Sequence, residues 1–475
     1  MSTSQASLKT NKSESVLTVF QENFTCPACN RKNASLIKMA NDDGMQCNLC
    51  DTVFPLYKSG EHTIPWLFEH PELNSLEWAA RLNGFLHLNQ QSQIRLKESQ
   101  KDKRLSKTGI KRIKKLLESK SEQVKQVLNI ISPLNLQQHD AEQINSSVNA
   151  LQSKTPSIQG LTSYYDNIFR DWSWDNGENE QMLAAIKGVM PNDAELGKVL
   201  TIGAGAGRLS YDIHQHYLPE CSVLLDINPL LLLAGSKAIQ GSSFSLNEYP
   251  IAPINKDSFV SEQLCKAPNG VNKNIYFMFA DGMNPPVKNN SFDTVITPWL
   301  IDVIPQNLRD YIPRINASIP VGGAWLNTGS LAFSHKQASW CYSEEELVEL
   351  IEKSGFEIVT SKRSTIKYMH SPLSAHGRME SVFSFYAKKI KDVVVPPKYN
   401  YLPNWIKSTS TPIPKQYDQE IESSQHLLQA QVLGAIDGKR SIEQIGDLLA
   451  KQYNLQVAEA THAVRRILVD YYENN

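Results

Sequence analysis

The chain of 475 residues lacks any apolar run of about 18 residues, which is the length that a membrane-spanning helix requires. It also lacks an excess of either charge. Its 48 basic and 49 acidic residues give a formal net charge of −1, so no overall field attracts nucleic acid or a membrane surface. The polar first residues contain no apolar segment of the kind found in secretory signals, and we expect a disordered tail over residues 1–20.

Cysteine is scarce, with seven residues of which four form two close pairs. Such a pattern argues against a disulfide framework and favours a reducing, cytoplasmic location. The pairs Cys26-Pro-Ala-Cys29 and Cys47-Asn-Leu-Cys50 are 17 residues apart, which is typical of a zinc ribbon with four thiolate ligands. Because four protein ligands leave no open position, we expect the Zn²⁺ to be structural. Two unrelated thiol pairs, or a redox-active pair, are the alternatives.

A glycine-rich turn, V-L-T-I-G-A-G-A-G-R-L, occupies Val199–Leu209 and follows a short apolar run. A second apolar run ends in Asp226, in the layout of a nucleotide-binding βαβ unit. The glycines allow a ligand to approach the backbone, and the acid can accept hydrogen bonds from ribose hydroxyls. Alternating strand-like and helix-like segments predict an α/β fold with a parallel, helix-covered sheet of the Rossmann-like type. A tight structural turn without a ligand is the alternative interpretation.

The glycine order G-x-G-x-G differs from the dinucleotide fingerprint G-x-G-x-x-G and favours S-adenosylmethionine (SAM) as the ligand. Two further strand candidates support this choice: one ends in Asp281, and the other begins at Phe292-Asp293. Ligands of such sheets bind at the carboxyl ends of the strands. We therefore predict that SAM contacts the glycine turn and the neighbouring strand ends, at Gly203, Ala204, Gly205, Gly207, Arg208, Asp226, Asn228, Asp281, Gly282 and Pro298.

Changes in composition predict the order of domains along the chain. Between Arg95 and Lys125, twelve basic and four acidic residues give a local net charge of +8. This stretch could bind RNA phosphates or an acidic partner, or could be a solvated helix face. The predicted segments are a zinc ribbon at 21–70, a helical region containing the basic stretch at 71–155, a SAM-binding α/β domain at 156–390, a Pro/Ser/Thr-rich linker at 391–418 and a small domain at 419–475.

The central domain resembles the carnosine N-methyltransferases in the stretches Tyr164–Ser173, Ile202–Leu209, Val295–Asp302, Gly322–Leu331 and Tyr368–Pro372. The resemblance implies methyl transfer from SAM to an imidazole nitrogen of a histidine-containing dipeptide. It also implies that Arg170 reaches the SAM carboxylate or ribose, that Asp302 binds the distal imidazole N–H, and that Tyr368 lines the substrate pocket. A surface salt bridge for Arg170 and a helix N-cap for Asp302 are the alternatives.

The chain departs from the family pattern beside this site. Ser334 stands where relatives carry a histidine, and His335 follows one position later. Ser330 stands where relatives carry a proline. We retain Asp302, His335 and Tyr368 as catalytic candidates, and the identity of the acceptor stays open.

The segments before and after the central domain also resemble known protein families. The segment Phe54–Leu67 resembles the zinc ribbons that activate certain tRNA and ribosome methyltransferases, which implies a structural or docking role. The segment Val432–Tyr453 resembles the D-type peptide-binding domains of pyrroloquinoline-quinone biosynthesis. That resemblance implies a winged-helix-like domain that binds a leader peptide as an added strand. A helical cap on the methyltransferase is the alternative.

Three functions follow from these interpretations. The first is a SAM-dependent N-methyltransferase that acts on an imidazole of a small histidine-containing molecule or a peptide. The second is a tRNA or translation-factor methyltransferase with a fused zinc-ribbon activator, although nucleic acid is the less favoured partner. The third is a SAM-binding scaffold without enzymatic activity. The sequence predicts no oligomeric state.

Overall fold

The computed structural model describes residues 16–136, 160–398 and 400–474, apart from residues 30, 32, 41, 42, 271, 272, 336, 401, 409 and 416. Most of the predicted tail and the end of the predicted helical region lie outside the described residues. The chain divides into two compact units, Met1–Tyr401 and Leu402–Asn475. Within the described ranges, no helix combines the length and the apolar content needed to cross a membrane.

The cysteine-containing segment folds as a helix and an antiparallel meander of strands. These elements are α1 (Val16–Asn23), β1 (Leu36–Lys38), β2 (Gly44–Cys47), β3 (Val53–Ser59) and β4 (His62–Leu67). The last strand, β4, also pairs in parallel with a strand of the central domain, so that Trp66 lies opposite Phe279. The meander is therefore continuous with the central sheet.

Two long helices follow, α2 (Pro71–Ser99) and α3 (Lys107–Ile131), and they pack against each other as a hairpin. Ser106 begins α3 as an N-cap, since its side chain accepts the N–H of Gly109. The hairpin carries the basic stretch. Eleven of its twelve Lys and Arg residues are exposed, whereas the Lys120 Nζ lies 4.0 Å from the centre of the Tyr249 ring.

The central domain alternates strands and helices as predicted. Its elements are α4 (Asp166–Trp172), α5 (Glu178–Lys187), β5 (Lys198–Ile202), α6 (Arg208–Tyr217), β6 (Cys221–Asp226), α7 (Pro229–Ile239), β7 (Phe244–Glu248), β8 (Ser261–Cys265), β9 (Ile275–Ala280), β10 (Thr294–Pro298), α8 (Leu308–Ser318), β11 (Ala324–Gly329), α9 (Glu344–Lys353), β12 (Phe356–Tyr368) and β13 (Arg378–Lys389). Strands β7 and β8 form a separate hairpin.

The main sheet has eleven strands in the order β1-β2-β3-β4-β9-β6-β5-β10-β11-β13-β12. Strands β4 to β11 of this order are parallel, and β13 is antiparallel to both of its neighbours. The strand order reverses between β5 and β10, and such a switch point forms a ligand crevice at the carboxyl ends of the strands. The predicted Rossmann-like α/β fold is confirmed.

The sheet is buried on both faces, which explains the apolar runs seen in the sequence. Every residue of β6 and of β9 is buried. One apolar cluster includes Phe20 of α1 together with Phe292 and Trp325, and a second includes Trp66 and Phe169. The cysteine-containing segment thus shares its apolar core with the central domain.

The second unit contains α10 (Asn404–Lys407), α11 (Tyr417–Gly434), α12 (Ile442–Tyr453) and α13 (Val457–Asn474). A small apolar core joins the three longer helices through Val432, Ile445, Leu449 and Val464. None of the described residues of this unit forms a strand. The winged-helix-like, peptide-binding assignment stays a prediction.

Candidate active site

The glycine turn connects β5 to α6 at the carboxyl edge of the sheet. Gly203, Gly205 and Gly207 have φ angles of 72°, 59° and 88°, a region that glycine adopts readily. The N–H groups of Gly203 and Ala204 donate to the carbonyl of Leu225 at 2.9 and 3.0 Å, which fixes the turn against β6. A Cβ placed on Gly205 would meet no atom within 4 Å. The turn therefore opens onto free space, as a ligand-binding turn requires.

Asp226, at the end of β6, is buried and faces this turn. Its Oδ2 accepts the N–H of Gly205 at 2.7 Å, and its Oδ1 accepts the N–H of Asn228 at 2.8 Å. Burial raises the pKa of Asp226, and the donated N–H groups oppose that rise. Backbone N–H groups of Gly205, Ile227 and Asn228 therefore hold the carboxylate in place beside the turn.

The side chain of Asn228 has a structural role. It is the N-cap of α7, where its Oδ1 accepts the N–H of Leu230 at 3.0 Å. Its Nδ2 donates to the carbonyl of Ser163 at 3.2 Å. The contacts of this side chain are therefore with the protein, and its predicted role toward the cofactor stays a prediction.

Three further predicted cofactor residues stand at strand ends of the same edge. Asp281 follows β9, and its Oδ1 accepts the N–H of Met283 at 2.9 Å. Burial raises the pKa of Asp281, and this N–H opposes the rise. A Cβ on Gly282 would lie 2.9 Å from Ile202 Cγ2, so a side chain would crowd β5. Pro298 ends β10. These strand ends and the glycine turn stand at the same edge of the sheet.

Arg170, Asp171 and Trp172 end α4, and this segment attaches the helix to the glycine turn. The Trp172 Nε1 donates to the carbonyl of Ala206 at 2.9 Å, and the buried Asp171 accepts the N–H of Arg208 at 3.4 Å. Arg170 donates its Nε to Asp171 at 2.8 Å. Burial alone would lower the pKa of Arg170, but the charges of Asp171, Tyr368 and Glu178 together with the hydrogen bond to Asp171 raise it. The Arg208 guanidinium pairs with Asp212 at 2.9 Å.

Asp302 lies in the turn after β10 and is only 5% exposed. Its Oδ2 accepts a hydrogen bond from the Ser330 hydroxyl and the N–H of Ala332 at 3.2 Å. Its Oδ1 is buried, and no group in the described part of the chain donates to it. A buried acceptor without a partner is rare and costly, so this oxygen indicates a position for a ligand donor.

Trp299 and Gly329 bring the two loops around Asp302 together. Trp299 has a positive φ of 51°. A Cβ on Gly329 would lie 2.9 Å from the Cα of Trp299, so only glycine permits this approach. The ring of Trp299 also packs on Tyr368, with 4.3 Å between ring centres.

Tyr368 stands at the end of β12. Burial raises its pKa, while the charges of Arg170 and Arg378 oppose the rise and that of Asp302 adds to it. The hydroxyl therefore stays protonated near neutral pH, and Tyr368 is close enough to Arg170 and Asp302 to respond to their charges. The Arg378 guanidinium lies 4.5 Å from the centre of its ring.

The structure does not place His335 in contact with the other two catalytic candidates, Asp302 and Tyr368. Its ring packs with Phe333 and Trp340 at centre distances of 6.3 and 5.5 Å. No hydrogen bond or ring contact among the described residues connects it to Asp302 or Tyr368. Its role as a base stays a prediction, without a contact that supports it.

Sequence reasoning missed several residues that position the site. Asp171 lies within the stretch Tyr164–Ser173 that carries the family resemblance, but no role was inferred for it. Glu178 is 1% exposed and accepts the N–H groups of Met369 and His370 at 3.0 and 3.2 Å, which fixes the chain after Tyr368. Glu178 had no signal in the sequence, because it resembles any acid in the first turn of a helix.

The four paired cysteines converge. Cys26 and Cys50 Sγ are 3.6 Å apart, Cys29 and Cys47 Sγ are 3.9 Å apart, and all four Sγ atoms lie within 4.8 Å of one another. Tetrahedral Zn²⁺ with bonds of about 2.3 Å separates its sulfurs by about 3.8 Å, so the cluster fits one such ion. Burial raises the pKa of Cys26 and of Cys47, whereas a hydrogen bond to Thr52 lowers the pKa of Cys50 to about 6.

Comparisons with known proteins point to one family. The family model described as carnosine N-methyltransferase matches residues 147–390. The chain is 26% identical over 226 residues to the carnosine N-methyltransferase of Dictyostelium discoideum, covering 42% of this chain and 47% of that protein. It is 25% identical over 268 residues to carnosine N-methyltransferase unmet of Drosophila melanogaster, covering 51% and 58% respectively. The chain thus spans about half the length of these curated relatives.

Among solved structures, a SAM-dependent methyltransferase from Methanosarcina mazei matches 42% of this chain and 95% of its own, with a TM-score of 0.30 and 15% identity.

Proposed function

The chain belongs to the carnosine N-methyltransferase family, and on this premise we propose that it transfers a methyl group from SAM to an imidazole nitrogen of a histidine-containing small molecule. The observation that carries the proposal is the buried Oδ1 of Asp302, which lacks a donor among the described residues. An imidazole N–H is a donor of the right kind. The open glycine turn with Asp226 and Asp281 would hold SAM beside it, and the cysteine cluster would hold a structural zinc ion.

When bound, SAM supplies a methyl group whose bond to sulfur breaks as the imidazole nitrogen forms its new bond. Asp302 contributes in two ways. By accepting the distal N–H it selects the tautomer that leaves the other nitrogen free, and an imidazole with a pKa of about 6.5 is largely neutral at pH 7. Its negative charge then stabilises the cation that develops on the ring. Ser330 and Ala332 hold the carboxylate in place through Oδ2.

Incubation with labelled SAM tests the proposal. The acceptors are a histidine dipeptide, a longer peptide with an internal histidine, and bulk tRNA. We expect label in the dipeptide. Asp302→Asn should lower turnover by about 100-fold or more, which is the usual range for a positioned acid–base group, and should leave SAM affinity unchanged.

Asp257→Asn, which changes an exposed aspartate, is the matched control and should keep full turnover. Near-normal turnover by the Asp302→Asn protein would contradict the assignment of Asp302. Absence of label from every imidazole acceptor would contradict the proposed function as a whole.

RNA methylation is the second candidate because one observation favours it. The exposed basic side chains of α2 and α3 offer a surface that could contact phosphates. Label in tRNA and not in the dipeptide would support this function over the first.

A further inference from the structure

A cavity of about 340 Å³ lies in the helical hairpin. Its walls come from α2, from α3 and from residues 160–162. None of the predicted catalytic, cofactor or metal-binding residues lines it. Two of the described residues in its wall are cations, Arg81 and Lys120, and none of them is an acid. This hairpin cavity is therefore positively charged, and its volume suits a small organic ligand.

Arg81 of α2 has a buried donor without a partner. Its Nη1 is buried, and no group in the described part of the chain accepts a hydrogen bond from it. The guanidinium carbon lies 4.3 Å from the centre of the buried Trp78 ring. Such stacking occupies one face of the guanidinium and leaves the N–H groups in its plane available to acceptors. Because an unpaired buried donor on a charged group is rare and costly, Nη1 indicates a position for a ligand acceptor.

Lys120 adds a second cation from α3. Its Nζ lies 4.0 Å from the centre of the Tyr249 ring and donates to Gln123 Oε1 at 3.2 Å. The buried Asn89 of α2 donates to the same oxygen at 3.5 Å, so the amide of Gln123 connects the two helices beside the cavity. Burial lowers the pKa of Lys120, and no carboxylate among the described residues pairs with it. A bound anion would balance the charge of both cations.

The rest of the wall includes apolar surface. Phe85 and Leu88 of α2 and the buried Leu161 line the same cavity. Leu88 is 59% exposed, so a ligand could cover apolar area that the protein leaves in contact with water. At Gly84 the wall has no side chain, and a Cβ there would meet nothing within 4 Å. Charged and apolar walls in one cavity are suited to an anion that carries an apolar group.

We propose that the hairpin cavity binds a small organic oxyanion, a phosphate monoester or a carboxylate attached to an apolar group, through Arg81 and Lys120. The planar guanidinium of Arg81 matches the paired oxygens of either anion, and the ammonium group of Lys120 supplies a point charge. The apolar group of the ligand contacts Phe85 and Leu88. This site is independent of the proposed methyl transfer, because it uses none of the candidate catalytic or cofactor residues.

Calorimetric titration of the full chain at constant ionic strength tests the proposal with three probes: phenyl phosphate, benzoate and inorganic phosphate. We expect one equivalent of an aromatic probe to bind, and phenyl phosphate to bind about 5-fold or more tightly than inorganic phosphate because of the apolar wall. Arg81→Gln should weaken this binding about 10- to 100-fold, as expected for a hydrogen bond to a charged group, and Lys120→Gln should weaken it about 10-fold. Lys111→Gln, which changes an exposed lysine of α3, is the matched control and should bind as the wild type does.

Tighter binding of phenyl phosphate than of benzoate would identify the ligand as a phosphate monoester, and the reverse order would identify it as a carboxylate. Absence of saturable binding of both aromatic probes to the wild type would overturn the proposal. Affinities unchanged in both Arg81→Gln and Lys120→Gln would do the same, and so would an equal loss in Lys111→Gln, which would indicate general charge attraction. Since the comparison of probes on the wild type needs no variant, a folding defect in Arg81→Gln does not weaken the test.

Discussion

We expect Gly235→Ala to displace the glycine turn, and thereby to lower the stability of the chain and weaken SAM binding. Gly235 lies in the middle of α7, where the backbone of the glycine turn presses against the helix. A Cβ at this position would lie 2.1 Å from the carbonyl oxygen of Ala206 and 2.9 Å from its carbonyl carbon. Both clashing groups belong to backbone, so neither can turn aside as a flexible side chain would.

The expected loss of stability has three parts. Overpacking of a tight interior costs about 1–3 kcal/mol. The carbonyl of Ala206 also accepts the buried Trp172 Nε1, and weakening that hydrogen bond costs about 1 kcal/mol. The higher helix propensity of alanine stabilises the variant by about 1 kcal/mol. We therefore expect the free energy of unfolding to fall by about 1–3 kcal/mol.

Urea denaturation followed by tryptophan fluorescence measures this change, because seven of the eight tryptophans lie in the first unit. Calorimetry should show weaker SAM binding, since the displaced turn carries Gly205. Gly84→Ala in α2 is the matched control: its Cβ would meet nothing within 4 Å, and it should stabilise the chain by up to about 1 kcal/mol. Equal stability of Gly235→Ala and wild type would refute this description of the packing.

The sequence predicted the parts of the fold that depend on local signals. Strands β6 and β9 are buried on both faces and therefore appear as apolar runs, which made the Rossmann-like fold recognisable. Gly205 and Asp226 meet because they stand at the ends of adjacent strands, so their proximity follows from the βαβ layout alone. The convergence of the four cysteines likewise follows from their spacing.

Other contacts could not be predicted from local sequence patterns. The parallel pairing of β4 with β9 joins segments more than two hundred residues apart, and nothing in either segment specifies a parallel partner. The proximity of Tyr368 to Asp302 was expected only through the family resemblance. Glu248 and Asp166 looked like ordinary acids in the sequence, because only the tertiary structure reveals that both line one cavity.

Three further predictions follow from individual groups. Gly205→Val should abolish SAM binding in calorimetry, because the side chain would enter the open space of the turn, and normal binding would place the cofactor elsewhere. Cys47→Ser should reduce zinc below one equivalent in elemental analysis and speed amide exchange in residues 16–67, whereas full zinc retention would contradict the ligand assignment. Asp166→Asn should stabilise the chain in a pH-dependent way. Burial and Glu248 raise the pKa of Asp166 from 3.8 to about 6, so the folded state holds this proton more tightly than the unfolded state. The ionised carboxylate therefore destabilises the fold fully above pH 6, and this effect disappears as the pH falls toward 4. The increase in Tm caused by Asp166→Asn should accordingly be large at pH 8 and absent near pH 4, and an equal increase at both pH values would show that folding does not raise the pKa of Asp166.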